Sequence, residues 1–426
     1  MKIISANSDF DVDVCLDGSK SESNRALMIC HYGGFSPRVK NISQSDDTKL
    51  LSELLVETQF STSREQTEPH KISCHNAGTV FRFLTTALAM SQGEWLLTGS
   101  ARMLRRPIGE LVEALRQFGA DIEYCEEEGF PPLLIHGKPV AEPVEATAEI
   151  TVNISKSSQF ATSLLLAAPT LRGGMKLHLD GAASSLPYLE MTLDTMRKYG
   201  AKIHRDGLDI FVQHSDYQDV EYIVEPDWSG ASYWYEAVAL SHNGRAFLRG
   251  LRQETKQGDA LVSKIFDNLG VTTSFVADGA VVFKDNDLKI SDLQYDFEDT
   301  PDLFPAIAAT CAGLGLRGRF TGVRNLVHKE SDRVAAMAAE LSKIGVTSES
   351  VSDNELIINK IEQLPRFNED NPVIFNSHGD HRIVMALAPL ALKLGAVEIE
   401  DADVVSKSYP RFWKEMSDIL SLPSLG

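Results

Sequence analysis

Glu330 lies between Lys329 and Arg333, and Asp302 stands just ahead of the apolar run 303–314. A carboxylate flanked by cations keeps a low pKa unless burial or an anionic substrate offsets them. The two acids therefore read either as proton-transfer groups beside a bound anion or as salt-bridge partners. Similar polar clusters recur along the chain: Gly18-Ser19-Lys20-Ser21 through Arg25, Asn76-Ala77-Gly78-Thr79 through Arg82, Ser157-Ser158-Gln159, Asp227 through Ser232, and Gly379-Asp380-His381-Arg382. A second set comprises Arg105-Arg106-Pro107, Ser185-Leu186-Pro187-Tyr188, His328 through Arg333, and Ser406-Lys407-Ser408-Tyr409-Pro410. Each cluster precedes a helical pattern. Helix starts expose unpaired N–H groups that favour anions, and small Ser, Gly and Thr residues let phosphate oxygens approach the backbone. For any one cluster, N-capping by Ser or Asp and helix initiation by Pro explain the residues as well. Lys and Arg at helix starts oppose the helix dipole, so their repetition calls for an anionic partner. His378 and His381 lack the further ligands that would complete a recognisable metal set, and no metal is expected.

Two kinds of helix must position these residues. Six segments are apolar nearly all round and are expected to be buried: 24–32, 79–90, 159–168, 232–240, 303–314 and 382–394. Interleaved amphipathic helices end at Gly119, Gly200, Gly270 and Gly345, each glycine following the last apolar residue as expected of a left-handed C-terminal stop. β-rich runs such as 94–98 and 175–179 follow the buried helices. The recurrence at about seventy to eighty residues points to six αβ units in two pseudo-symmetric halves. A Gly-x-Gly-x-x-Gly motif after a strand and a Gly-x-x-x-x-Gly-Lys-Ser/Thr loop are both absent from the sequence, which argues against a nucleotide fold.

A chain of 426 residues exceeds what one core usually organises, consistent with two domains. The five cysteines (Cys15, Cys30, Cys74, Cys125 and Cys311) are scattered without a Cys-x-x-Cys pair, so buried thiols are expected rather than disulfides or zinc ligands. The formal charge of −19 opposes binding to nucleic acid or anionic membranes, but it leaves a small anion held by local donors open. With neither a membrane-length apolar run nor a signal-like start, a cytoplasmic location is expected.

The segments Gly18-Ser19-Lys20-Ser21 with Asn24-Arg25, Asn76-Ala77-Gly78-Thr79 with Arg82, Arg106-Pro107-Ile108, Ser157-Ser158-Gln159-Phe160, Lys329-Glu330-Ser331-Asp332-Arg333 and Asp380-His381-Arg382 occur in an order that resembles the 5-enolpyruvylshikimate-3-phosphate (EPSP) synthase family from about residue 14 to 415. The resemblance implies an α/β architecture, the two-domain inside-out α/β fold of six βαβαββ repeats, with a cleft that closes on ligand. Domain 1 would comprise 1–18 and 229–426, and domain 2 would comprise 19–228. It implies transfer of the enolpyruvyl group of phosphoenolpyruvate to the 5-hydroxyl of shikimate 3-phosphate, without metal or organic cofactor. Carried over by motif, shikimate 3-phosphate would be bound by Lys20, Ser21, Arg25, Ser157, Ser158, Gln159, Ser185, Tyr188, Asp302, Asn325 and Lys329. Phosphoenolpyruvate would be bound by Lys20, Gly78, Arg106, Gln159, Arg333, Arg382 and Lys407, with Arg82 supporting. Glu330 would donate and later recover the proton with help from Lys20, while Asp302 would orient or deprotonate the hydroxyl. The two substrates are the expected partners of a monomer.

The sequence departs from the family pattern at Asp17 and Phe83, where Pro is usual, and at His328, where Arg is frequent. None of these removes an expected ligand. A UDP-N-acetylglucosamine enolpyruvyl transferase shares the fold, but its reactive Cys sits on a mobile loop before a helix. Cys125 is expected within a strand-like run instead, with no other Cys on such a loop. A silent anion-binding homologue would not need Lys20, Asp302, Glu330 and Lys407, and an RNA 3′-phosphate cyclase relative would be expected to show a basic face.

Overall fold

The computed structural model describes residues 1–3, 5–61, 68–138, 147–181, 185–285 and 288–422. Two compact units emerge: Lys20–Ser43 with Asp47–Val224, and Met1–Ser19 with Gln44–Asp46 and Glu225–Gly426. Each has its own hydrophobic core. They are called here the central and the terminal unit.

A four-stranded sheet repeats twice in each unit, always with the same internal order. In the central unit His70–Ser73 runs parallel to Gly93–Thr98 around the helix Gly78–Ala89. After the helix Gly109–Gln117, the strands Asp121–Tyr124 and Leu133–Gly137 return as an antiparallel pair. The same sequence of elements builds Ala148–Asn153, helix Gln159–Ala167, Met175–Asp180, helix Leu186–Lys198, Ile203–Asp206 and Asp209–Val212. In the terminal unit, Asp9–Val14 supplies the first strand beside Asn243–Arg249, so the N-terminal residues complete a sheet whose helices come more than two hundred residues later. The fourth sheet is Asp292–Asp296, Arg317–Thr321, Ser348–Ser352 and Glu355–Ile358. The remaining unit of each half is reduced: Val39–Lys40 pairs Tyr222–Ile223, and Val373–Phe375, Val397–Ile399 and Lys2–Ile3 make a three-stranded sheet.

The fold is inside out because the helices, not the strands, occupy the interior. All thirteen residues of Trp228–Leu240 are buried, as is nearly all of Gly78–Ala89. The strands alternate instead, as in Met175–Asp180, where the apolar residues face inward and the polar ones outward. This explains why the helices read as apolar all round. Gly119, Gly200, Gly270 and Gly345 all take positive φ, as the helix-stop reading requires.

Several helix boundaries differ from the sequence reading, among them that of the helix expected over 232–240, which begins at Trp228. The helix expected over 24–32 begins at Lys20, so Lys20 and Ser21 lie in its first turn. The run expected as one helix over 382–394 breaks into His381–Leu387, a 3-10 turn Ala388–Leu390, and Ala391–Leu394. Pro389 lacks an N–H and its ring clashes with the preceding turn, which ends the α geometry there. Pro169 has the same effect, turning Ala168–Thr170 into 3-10 geometry after helix Gln159–Ala167.

No helix among the described residues is long and apolar enough to cross a membrane. Phe297 packs edge-on against Tyr295, Phe304 and Phe320 and is fully buried in the terminal unit. Replacing it with Ala should cost about 3–5 kcal/mol, read as a lower midpoint in denaturant unfolding. An unchanged midpoint would contradict this packing.

Candidate functional site

The sequence-predicted residues fall into two groups, one in each unit, and within each group the expected helix starts are joined by named bonds. In the central unit the guanidinium of Arg25 is buried, which pushes its pKa down to about 10. Its Nε donates to Thr192 Oγ1 at 2.8 Å, Nη1 to the Ser21 carbonyl at 2.7 Å and Nη2 to the Tyr188 carbonyl at 3.1 Å. Arg25 thus ties the start of Lys20–Gly33 to the start of Leu186–Lys198. Thr162 and Thr192 share a bond at 3.1 Å, bringing helix Gln159–Ala167 to the same seam.

Arg82 extends the seam to helix Gly78–Ala89. Its Nη1 donates to Gln159 Oε1 at 2.9 Å, its guanidinium lies over the Phe160 ring, and Gln159 Nε2 donates to Thr79 Oγ1 at 3.2 Å. Gln159 is therefore oriented from both sides. Ser157 Oγ accepts from the Gln159 N–H at 3.2 Å, and Ser158 is buried beside it. Ser185 sits in the left-handed region at φ 58°, an uncommon conformation for a residue with a side chain, and its carbonyl accepts from Tyr188 N–H at 3.1 Å. Lys20 Nζ pairs with Asp47 at 3.1 Å. Gly78 is special for its surroundings: a Cβ there would lie 2.5–2.6 Å from the guanidinium atoms of Arg106. Only glycine lets that guanidinium lie flat against the helix start.

The terminal group is ionic. Arg333, only 1 % exposed, donates from Nε to Asp380 at 2.9 Å, from Nη1 to Asp302 at 2.7 Å and from Nη2 to Glu330 at 3.0 Å. Arg382 donates from Nη2 to the other oxygen of Asp302 at 2.7 Å. Asp380 also accepts from Ser331 Oγ at 3.1 Å and caps its own helix by accepting from Arg382 N–H at 3.0 Å. Burial alone would raise the Asp302 carboxyl, but Arg382, Arg333 and Lys329 together hold it well below the usual carboxylate range. The same carboxylates keep Arg333 firmly charged despite its burial. The repeated cations at helix starts, expected to require a foreign anion, thus find part of their counter-charge within the protein. Asn325 lies in the 3-10 turn Arg324–His328 just before Lys329, and Lys407 ends the turn Ala402–Lys407.

Sequence reasoning missed Asp259 and underrated Asp380. Asp259 is buried, accepts from Ser229 Oγ, and is pushed up to about 7 by burial and by the charge of Asp302, against the pull of Arg382. Its only sequence signal is an acid shortly before the amphipathic helix Val262–Asn268, which reads as an ordinary helix-start residue. His381, considered for metal ligation, is buried with Nδ1 3.6 Å from Asp380. Among the described residues the side chains close enough to share a metal ion are Asp121, Glu123 and His136, none of them a candidate residue.

The expectation of buried thiols holds for Cys30, Cys74 and Cys311 and fails for Cys15 and Cys125, which are exposed. Cys125, expected within a strand-like run, lies just past the end of the strand Asp121–Tyr124, and its thiol is pushed up by partial burial and by Glu126 and Glu123, unlike an activated nucleophile. Cys15, however, is exposed in the stretch 15–19 before the helix Lys20–Gly33. That stretch is tethered: Asp17 pairs with Arg411 at 2.9 Å, and Ser19 N–H donates to the Glu225 carbonyl at 2.8 Å.

Asp259 also sets a pH dependence. Its folded pKa lies above the unfolded value near 4, so the folded state binds the extra proton and loses stability as pH rises from about 4 to about 7, by a few kcal/mol. Asp259→Asn should lose less stability than the wild type between pH 5 and pH 8 in urea unfolding. Equal losses would refute the assignment.

Comparison with known proteins places this geometry. Residues 4–416 match the family model described as EPSP synthase (3-phosphoshikimate 1-carboxyvinyltransferase). A 3-phosphoshikimate 1-carboxyvinyltransferase of Bacteroides fragilis YCH46 is 37 % identical over 417 residues, covering 97 % of this chain and 96 % of that one. One from Methanospirillum hungatei JF-1 is 34 % identical, covering 94 % of each. A solved EPSP synthase from Acinetobacter baumannii, 20 % identical, superposes with a TM-score of 0.72 over 98 % of this chain and 97 % of that one, which is a likeness of fold. With the motif order, the repeat and full-length relatives in agreement, the chain belongs to the EPSP synthase family.

Proposed function

We propose that the two groups of residues divide the work of enolpyruvyl transfer from phosphoenolpyruvate to the 5-hydroxyl of shikimate 3-phosphate, releasing phosphate. The observation that carries the division is the buried cluster of Arg333 and Arg382 around Asp302, Glu330 and Asp380, which sets anion-binding donors beside two carboxylates able to handle protons. Both substrates are small anions, suited to local donors on a chain of net charge −19.

In this reading shikimate 3-phosphate is held by Lys20, Ser21, Arg25, Ser157, Ser158, Gln159, Ser185, Tyr188, Asp302, Asn325 and Lys329. Because the described donors of Arg25 reach Thr192 and two backbone carbonyls, it acts first by fixing Ser21 and Tyr188. Phosphoenolpyruvate is held by Lys20, Gly78, Arg106, Gln159, Arg333, Arg382 and Lys407. Glu330 delivers a proton to the phosphoenolpyruvate methylene, leaving positive charge on the adjacent carbon, and Lys20 supports the transfer. The 5-hydroxyl attacks that carbon and gives up its proton, forming a tetrahedral adduct. Glu330 recovers a methyl proton as phosphate departs carrying the proton given up by the hydroxyl, which restores the double bond and balances the protons over the cycle.

Asp302 is suited to orienting the hydroxyl. Held strongly acidic by Arg333 and Arg382, it is a weak base until substrate anions draw on those guanidinium groups. The arginines then stabilise the departing phosphate where water is scarce. A monomer in the cytoplasm fits this reading, since a strongly negative surface opposes self-association.

Phosphate release in the presence of phosphoenolpyruvate and shikimate 3-phosphate tests the reading directly, with phosphoenolpyruvate and UDP-N-acetylglucosamine as the contrasting pair. No release with the first pair would overturn it. Glu330→Gln should retain both substrates and lose about 10²–10⁴ in turnover. Gly78→Ala should displace the Arg106 guanidinium and raise KM for phosphoenolpyruvate more than KM for shikimate 3-phosphate. Equal effects on both would place the contact elsewhere.

A further inference from the structure

Helix Arg333–Ser342 is gripped twice along one face. Arg333 and Glu340 are seven residues apart, two helical turns, and so share that face about 10 Å apart. Arg333 binds Asp380 at 2.9 Å. Glu340, 2 % exposed, accepts from the Asn376 backbone N–H at 2.8 Å through Oε2 and bonds His378 Nε2 at 2.7 Å through Oε1. Both grips therefore close on a single segment, the turn between strand Val373–Phe375 and helix His381–Leu387.

The turn itself is costly. His378 takes φ 52° and Gly379 φ 67°, and a side-chain-bearing residue in the left-handed region costs about 1 kcal/mol or more unless its surroundings impose it. Asn376 Oδ1 accepts from His378 N–H at 2.7 Å, Asp380 N–H donates to the Ser377 carbonyl at 2.9 Å, and His378 reaches back to Glu340. Lys343 Nζ completes the anchorage, bonding Glu340 Oε2 at 2.6 Å and the Ile374 carbonyl at 3.0 Å. What the turn delivers is Asp380, which orients Arg333 and caps the helix that begins with His381 and Arg382. One grip alone would leave the helix free to roll. Two grips spaced by two turns fix its rotation, and with it the direction in which Arg333 and Glu330 point.

We infer that Glu340 and His378 are positioning residues for the Arg333–Arg382 anion subsite, acting through the turn that carries Asp380. The inference rests on the functional reading given above, because the subsite is assigned there to phosphoenolpyruvate. Neither side chain needs to touch substrate. The Glu340 carboxylate accepts on both oxygens, from Asn376 and Lys343 on one and from a His378 N–H on the other, whereas an amide offers one acceptor oxygen and needs the other His378 tautomer to keep the bond.

The experiment compares wild type, Glu340→Gln, His378→Gly and the double variant by steady-state phosphate release, melting midpoint and amide hydrogen exchange. Glycine suits the left-handed backbone, so His378→Gly removes the bond to Glu340 without adding strain. Both single variants should raise KM for phosphoenolpyruvate about tenfold and leave KM for shikimate 3-phosphate within about twofold. The double variant should be no worse than Glu340→Gln, as expected of two residues acting through one bond. Exchange at 376–382 should quicken in every variant. His378→Gln, which restores an N–H donor, should recover part of the loss. An unchanged KM for phosphoenolpyruvate in His378→Gly would overturn the inference, as would both KM values moving together with a fallen melting midpoint. Should Glu340→Gln fail to fold, His378→Gly decides alone. A wild type that releases no phosphate would instead overturn the functional reading, and unaltered exchange at 376–382 would then overturn the inference by itself.

Discussion

The terminal unit depends on one buried guanidinium. Taking Arg333 out of water carries a penalty of several kcal/mol, and so does burying Asp380 beside it. Such an arrangement survives only when every donor is met, and here each nitrogen of Arg333 faces its own carboxylate. An apolar cluster of the same volume would be as stable or more so. What the ion cluster adds is a fixed field. On the proposed reading the guanidinium groups are aimed before any anion arrives, and little reorganisation remains when one does. The same carboxylates compete for the donors, so an incoming anion must offer more than Asp302 and Glu330 already provide. A small ligand carrying both carboxylate and phosphate can meet that demand, whereas a monovalent anion cannot.

The central unit solves a different problem with the same repeat. Its helices are stitched by hydroxyl and amide groups, Thr162 with Thr192, Thr86 with Ser163 and Gln159 with Thr79, while the guanidinium groups of Arg25 and Arg82 donate to neutral acceptors. Neutral bonds of this kind carry small net energies, about 1 kcal/mol each, but a buried donor left unmet costs more, so the seam specifies which helix meets which. Hydroxyl and amide groups suit a ligand rich in hydroxyls. The two halves thus share topology and differ in the chemistry of their helix contacts.

Much of this was legible in the sequence, and the reason is physical. Helices buried on every side have to be apolar on every side, so 79–90 and 303–314 announce themselves, and a Gly that ends a helix in the left-handed region is visible as Gly119 or Gly345. Motif order then pointed to Lys20, Arg106, Asp302, Glu330 and Arg333. Partner identity was not legible. Asp259 and Asp380 look like caps because an acid before a helix satisfies the same local rule whether or not it also holds an arginine from elsewhere. Glu340 sits in the last turn of an amphipathic helix and reads as solvent-facing, yet it is buried because a turn more than thirty residues away folds over it. The two reduced sheets were hidden for a similar reason: strands of two or three residues leave no alternation to read.

The acidic surplus of the chain follows the same division between local and global electrostatics. On the outer faces of the sheets, cations are matched by neighbours across the strands, as in Arg245 with Asp11 and Arg319 with Glu355. Exposed pairs of this type add little stability, but each balances a cation on those faces. At physiological salt a charge is felt over about 8 Å, so the excess of sixty acidic over forty-one basic residues repels an extended polyanion without cancelling the local field of a buried arginine cluster. On the proposed reading, selectivity against nucleic acid and affinity for compact anions then have a common origin: the cations assigned to the site are placed at helix starts, and the surface is left negative.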